Sequence, residues 1–397
     1  MSGNSILIAG GGIGGLTAAL GLAAKGFNVT VMERTSEFGE IGAGIQLGPN
    51  AFHALDTVGV GQWAREKAVY VDMLRLMDAV SGEEIVHIPL DEPFRKRFGN
   101  PYAVVHRGDL HGVLLKGCKE HPRITLRVNS EVTGYAQDGS AVRAWLASGE
   151  TVEGEILIGA DGLRSSVRAQ VVGDGAPRVS GHSTYRAVIP LDRMPEDLRW
   201  NAATLWAGPK CHIVHYPLSD WKYFNLVITR DNDAHKAVTG QPVRREDVRS
   251  QFMHVSEKIR RVIEAGDHWK VWVLCDREPV GGWVDGHVAL LGDAAHPTLQ
   301  YYAQGACMAM EDAVCLAHML DSHRSDMPTA RFAYQEARVV RTARVQLGSR
   351  AIGDLMFHAE GVHARVRDAI MRSMTTEDFY DRLEWLYGAT GLTGVEG

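Results

Sequence analysis

A chain of 397 residues carries enough sequence for two or three domains' worth of core. Its 45% hydrophobic and 23% charged residues are globular averages, and a formal net charge of −6 with no long Lys/Arg run argues against nucleic acid or an anionic membrane as partner. No stretch approaches the roughly 18 uninterrupted apolar residues of a spanning helix, and no signal peptide opens the chain, so the expectation is a cytoplasmic protein without a membrane span.

The five cysteines, Cys118, Cys211, Cys275, Cys307 and Cys315, are odd in number and lack metal-ligand or disulfide spacing. They read as buried, reduced thiols. None of the seventeen histidines falls in an HExxH pattern, and no protein-ligated metal is expected.

In chain order, Ser5–Ala9 is a short apolar, β-prone run. Gly10-Gly11-Gly12-Ile13-Gly14-Gly15 follows, then an Ala/Leu-rich helix over Leu16–Lys25 closed by Gly26. A second apolar run, Asn28–Met32, ends at Glu33. This is a βαβ start. Gly10-x-Gly12-x-x-Gly15 therefore sits between a strand and a helix, where a dinucleotide fingerprint belongs. Gly10 permits the tight turn, Gly12 lets a pyrophosphate approach the backbone, and Gly15 lets helix and strand pack closely. The helix N-terminus offers free N–H groups to phosphates. Glu33 stands where an acid can accept from ribose hydroxyls.

Residues 36–62 are glycine-rich, becoming helical over Asn50–Val58. Residues 70–90 alternate as an antiparallel strand pair would. Asp109–Cys118 reads as a helix capped by Asp109. Residues 123–158 hold short strands with turns at Asp138-Gly139 and Ser148-Gly149. The run Ile156–Arg168 delivers Asp161-Gly162 from a buried strand into a basic helix start. Residues 180–230 suggest a second, mostly antiparallel sheet. Within it the Cys211–Pro217 strand places His212, Val214 and Tyr216 on one face, and Ile213 and His215 on the other. Gln241–Ala265 reads as helical. His287–Leu291 is a buried strand ending at Gly292-Asp293. A helix is expected from about Gln304 to Leu320, and the chain is helical from Pro328 onward. The Met and Leu pattern of residues 345–375 suggests a homodimer surface, with a core-packed helix as the alternative reading.

The ordered set of glycine fingerprint, Asp161-Gly162 and Gly292-Asp293 resembles the class A flavoprotein monooxygenases that hydroxylate aromatic rings, over essentially the whole chain. That resemblance implies an α/β fold: a Rossmann-like FAD-binding domain, an antiparallel β-sheet substrate domain and C-terminal helices. The corresponding boundaries are 1–75, 96–180 and 270–350 for the FAD-binding domain, 76–95 and 181–269 for the substrate domain, and 351–397 for the helical end. It implies FAD as cofactor, NADH or NADPH as transient reductant, O2 as co-substrate and a small aromatic acid as substrate, hydroxylated through a flavin C4a-hydroperoxide. No second glycine fingerprint offers the nicotinamide nucleotide a domain of its own.

By the same resemblance Glu33 and Arg34 serve the adenosine end of FAD, Arg107 contacts FAD, Asp161 serves both nucleotides, and Asp293 orders the ribityl and phosphate region. The loop Gly42-Ala43-Gly44 would flank the flavin, and the N–H groups of Gly305 and Ala306 would stabilise charge on its pyrimidine. The chemistry needs an electron-rich ring, and a phenolate is strongly activated ortho and para. His212 is the candidate base for the phenol, with Tyr216 beside it. Gln300 stands where many relatives have a proline, and could bond the same oxygen or orient the ring. This departure, with His212 and Tyr216, most resembles the 3-hydroxybenzoate 6-hydroxylases within the family. Salicylate 1-hydroxylation and 6-hydroxynicotinate 3-hydroxylation are competing readings. An NAD-dependent dehydrogenase and a non-catalytic aromatic-ligand flavoprotein are readings from other classes. No arginine presents itself as the carboxylate anchor; Tyr216, Tyr301, Tyr302, His212 and Gln300 all remain open for that role.

Overall fold

The computed structural model describes residues 5–39 and 44–388. Two large sheets organise them. The first is six-stranded, in the order Val284–Asp285, Val288–Leu290, Ile156–Gly159, Ser5–Ala9, Asn28–Met32, Ile124–Arg127. Ser5–Ala9 pairs in parallel with both neighbours. Its Ile6, Leu7 and Ile8, like Leu157 and Ile158, are buried. Both faces are covered, which is why these runs are continuously apolar rather than alternating.

The second sheet has eight strands: Gln241–Pro242, Asp267–Asp276, Arg178–Pro190, Tyr223–Ala234, Cys211–Leu218, Ala202–Gly208, Met73–Asp78 and Glu84–Pro89. All its pairings are antiparallel except that of Ala202–Gly208 with Met73–Asp78. One face buries Tyr185, Trp206, Ile213, Phe224 and Ile228 against the helices Arg245–Ser250 and Glu257–Ala265. The other face looks toward the first sheet. There the cross-strand register builds rows. Thr184, Thr229, His212, Ala207 and Asp78 form one; Arg186, Val227, Val214, Leu205 and Leu76 form the next.

Two helical readings change. The helix around Asp109 spans Arg107–Glu120 with His106 at its cap, so Asp109 is a first-turn acid favouring the helix dipole rather than the capping residue. Gln241–Ala265 is not one helix. It begins as an edge strand and breaks into two short helices, each burying its own apolar side chains, Val248 in the first and Ile259, Val262 and Ile263 in the second.

The chain ends in helices Gly305–Ser322, Met327–Ile352, Gly361–Ser373 and Thr376–Tyr387. The last opens with a reciprocal capping box between Thr375 and Asp378. Tyr380 and Tyr387 pack edge-on against Phe94 and Phe98. Arg97 holds Glu377, Asp381 and Glu384 of that helix at 2.5, 2.7 and 2.8 Å. Among the described residues no helix is long and apolar enough to cross a membrane.

Candidate active site

Between the two sheets lies a cleft of about 1540 Å³. Its first wall is the glycine turn. Gly10 has φ +107°, and a Cβ there would lie 2.4 Å from the carbonyl oxygen of Ala160. Only glycine fits this turn. The helix Ile13–Ala24 begins with no side-chain cap at Gly12 and no acid in its first turn, so its first N–H groups face the cleft uncompensated. Glu33 closes the strand end, accepting from the Gly11 N–H at 2.9 Å and from Thr35. Gly10, Gly12, Glu33, Arg34, Arg107, Asp161, Asp293, Gly305 and Ala306 all line the cleft. Gly15 does not. A Cβ on it would lie 2.0 Å from the Gly10 carbonyl oxygen, so its part is packing the helix onto the turn. Ala43 lies outside the described residues, as does Gly42.

Asp161 accepts from the N–H groups of Ser166 and Val167 through one oxygen, while its Oδ1 has no hydrogen-bond partner in the protein. Burial raises its pKa. The neighbouring Arg168 is fully buried, although a basic helix start reads as a solvated face in the sequence. Its Nη1 donates to the carbonyls of Ala294 and Ala295, at 2.9 and 2.5 Å, and it pairs with Asp174 at 2.7 Å. One arginine thereby ties the Asp161-Gly162 segment to the Gly292-Asp293 turn.

That turn is held from behind as well. The Gly292 N–H donates to Asp312 at 3.0 Å, His296 bonds the same carboxylate at 2.5 Å, and Arg338 reaches its other oxygen at 2.8 Å. His296 is thus structural. His296 and Arg338 hold the Asp312 carboxyl down to about 2, against the opposing effect of burial. Asp293 projects from the front of the turn. The helix Gly305–Ser322 follows, also without a side-chain cap, its first N–H groups on the cleft.

These features fit a flavin dinucleotide. A turn admitting only glycine, two uncapped helix ends and an unpartnered Asp161 oxygen line one continuous cavity.

The opposite wall is the eight-stranded sheet. His212 is 2% exposed, and its Nδ1 lies 2.8 Å from Nε2 of His358. Burial first, then the neighbouring His358 and His182, push the His212 pKa well below the usual imidazole value, so the ring is neutral at pH 7. Tyr301 packs edge-on to it and bonds His182 at 2.5 Å. Tyr216 is buried beneath Gly44, where a Cβ would lie 2.6 Å from its ring. Gly44 is therefore required by this contact. Burial raises the Tyr216 pKa.

Gln300 also lines the cleft, but its amide is engaged. Nε2 donates to Thr229 at 2.9 Å and Thr184 at 3.3 Å, and Oε1 accepts from Arg186 at 2.9 Å. Arg186 is the residue the sequence reading missed. It sits among cleft-lining residues with its Nε enclosed and unpartnered, and among the described residues no carboxylate acts on it. The available signal was strand alternation, which puts Arg186 on the face of Thr184.

Residues 4–344 match the family model described as "FAD binding domain". The chain is 52% identical over 385 residues to "3-hydroxybenzoate 6-hydroxylase 1" of Aquipseudomonas alcaligenes, covering 97% of this chain and 98% of the relative. It is 49% identical over 386 residues to a 3-hydroxybenzoate 6-hydroxylase of Polaromonas naphthalenivorans, covering 96% and 95%. Among solved structures, Klebsiella pneumoniae HpxO complexed with FAD and uric acid superposes with a TM-score of 0.84 at 25% identity, covering 99% and 97%. A salicylate hydroxylase substrate complex gives 0.84 at 24% identity over 100% and 99%, a likeness of fold.

Proposed function

The chain belongs to the FAD binding domain family, and from that premise we propose that it is an FAD-dependent monooxygenase converting 3-hydroxybenzoate to 2,5-dihydroxybenzoate (gentisate), with NADH or NADPH as reductant. The observation that carries this reading is a neutral, buried His212 on the sheet face opposite the dinucleotide cradle. The relatives named for this reaction, at 52% and 49% identity over nearly full length, support it.

When bound and reduced by NAD(P)H, FAD would activate O2, one atom of which enters the ring while the other leaves as water. The cleft-lining residues would hold it: Glu33 and Arg34 at the adenosine ribose, the first helix at the pyrophosphate, Arg107, Asp161 and Asp293 along the ribityl and phosphate stretch, Gly305 and Ala306 at the pyrimidine. His212 then prepares the substrate. With Nδ1 engaged by His358, Nε2 is the nitrogen left to take the phenol proton. The resulting phenolate activates the para carbon, which in 3-hydroxybenzoate is position 6. Val214, Val227 and Leu205 floor the cleft and keep water from the ring.

Purified protein should consume O2 and NAD(P)H with 3-hydroxybenzoate and yield 2,5-dihydroxybenzoate by chromatography. Equal or faster hydroxylation of salicylate or 6-hydroxynicotinate would overturn the substrate assignment.

The homodimer reading is supported by an exposed stripe of Val362, Val366 and Ile370, four residues apart on one helix. Met356, Met371 and Met374 of the same region line the cleft, and Ile370 reaches it as well. Five free cysteines, four of them buried, support a reducing compartment such as the cytoplasm.

A further inference from the structure

We infer that Arg186 is the carboxylate anchor for the substrate, and that Gln300 is the positioning residue that aims it. The inference rests on the reading of the chain as a hydroxylase of a monohydroxybenzoate.

Arg186 lies in the cleft wall without an acidic partner among the described residues. Its neighbours are Gln300, which accepts from Nη2, and the face of the Trp272 ring 5.5 Å away. Tyr216 is near enough to act on it electrostatically, and Arg107 also acts on it, with the same sign of charge. A half-buried guanidinium without an anion among the described residues is costly, and its buried Nε is left with no acceptor. Such a group is completed by an anionic ligand, and a planar carboxylate matches its fork.

The sheet register supplies the spacing. Arg186 stands opposite Val227, which stands opposite Val214. His212 occupies the same strand as Val214, two residues earlier. Arg186 and His212 are thus two strands and two residues apart, about 12 Å between Cα atoms. Both line the same cleft as Val214 and Val227. A ring lying on these valines can present a phenol to His212 and a carboxylate to Arg186 only if the two groups stand apart on it. A meta relationship meets this; an ortho pair, as in salicylate, crowds both groups toward one end.

Gln300 fits the aiming role because its donors are spent. Both amide hydrogens go to threonine hydroxyls on the sheet, leaving Oε1 as its free valence, and that oxygen holds Arg186. A proline at this position could make none of these bonds. Gln300 therefore acts through Arg186 and has no hydrogen left to donate to a phenolate oxygen.

The test uses FAD-loaded protein titrated with 3-hydroxybenzoate and with neutral 3-hydroxybenzyl alcohol, read by the flavin absorbance change. Arg186→Gln should weaken the acid by about 10- to 100-fold and leave the alcohol unchanged. Arg186→Lys should recover part of the loss. Gln300→Leu should weaken the acid about tenfold, raising KM more than it lowers kcat, again sparing the alcohol. Equal losses for acid and alcohol, or no loss for either, would overturn the proposal. If Arg186→Gln fails to retain flavin, the Lys and Gln300 variants decide the question. Should wild-type protein not turn over 3-hydroxybenzoate, the reaction assignment falls by itself. The paired comparison of any bound aromatic acid with its alcohol then still judges Arg186.

Discussion

His212 and His358 share one hydrogen: Nδ1 of the first lies 2.8 Å from Nε2 of the second, and only one nitrogen can carry it. For Nε2 of His212 to accept a proton from substrate, the shared hydrogen must sit on His212 Nδ1, donated to His358. In that tautomer His358 Nε2 is the acceptor, and His212 Nε2 is left free to act as a base. Replacing His212 with Ala should leave FAD binding and NADH oxidation in place while cutting product formation by about 10²–10⁴-fold, with hydrogen peroxide released instead. Comparing product formed with NADH consumed reads this directly. Full coupling in the variant would remove His212 from the mechanism.

His358 should matter through its neighbour. His358→Leu removes the acceptor for Nδ1, so kcat should fall by about 10- to 100-fold while flavin and substrate affinity hold. His358→Gln offers an amide oxygen at nearly the same reach and should restore much of the rate. If Leu and Gln variants behave alike, the hydrogen bond has no part in catalysis.

The histidine cluster also sets an acid limit on stability. Burial holds His358 down to about 3, and burial with its imidazole neighbours holds His212 well below its usual value. A lowered folded pKa means the unfolded chain binds the extra proton first. The stabilising contribution is complete above the unfolded imidazole value of about 6.5 and is lost as pH falls toward the folded values. Each such histidine should cost about 1.4 kcal/mol per pH unit below that point. Thermal midpoints should therefore decline between pH 6.5 and 4.5, before the carboxylates titrate, and His358→Gln should flatten the decline. A flat wild-type profile across that window would refute the assignment.

Asp312 sits at the centre of a buried network with His296, Arg338 and the Gly292 N–H. Asp312→Ala should destabilise the protein by about 3–5 kcal/mol, because Arg338 and His296 lose a buried partner. Urea unfolding followed by tryptophan fluorescence measures it. A loss under about 1 kcal/mol would mean that water or Glu311 replaces the carboxylate.

Arg168 should act on the cofactor from a distance. Arg168→Leu frees the Ala294 and Ala295 carbonyls and loosens the turn that presents Asp293. The expected result is FAD affinity reduced by about tenfold or more, with the substrate-side geometry intact. Titration of apoprotein by flavin fluorescence quenching checks it; unchanged affinity would show that the turn holds itself.

The three glycine-and-acid motifs were legible because each demands a backbone few residues can adopt. Gly10 and Gly292 have positive φ, and that requirement is written in residue type. Strand alternation likewise put His212, Val214 and Tyr216 on the cleft face. What stayed hidden depends on register and long-range meeting. Arg186 becomes informative only once the pairing of its strand is known. The His212–His358 contact joins residues 146 apart, and nothing local to either announces it. Arg168 looked like one more basic residue at a helix start, since burial of a charge leaves no mark on the sequence around it.

The final helix bears on the order in which this protein comes into being. Leu383, Trp385, Leu386 and Tyr387 line the cleft, and Arg97 fastens the helix that carries them. A chain still on the ribosome has its glycine turn and both sheets long before it has this wall. Among the described residues this wall is therefore the last part of the cleft to be synthesised, and the cavity is open on that side until Arg97 has fastened it.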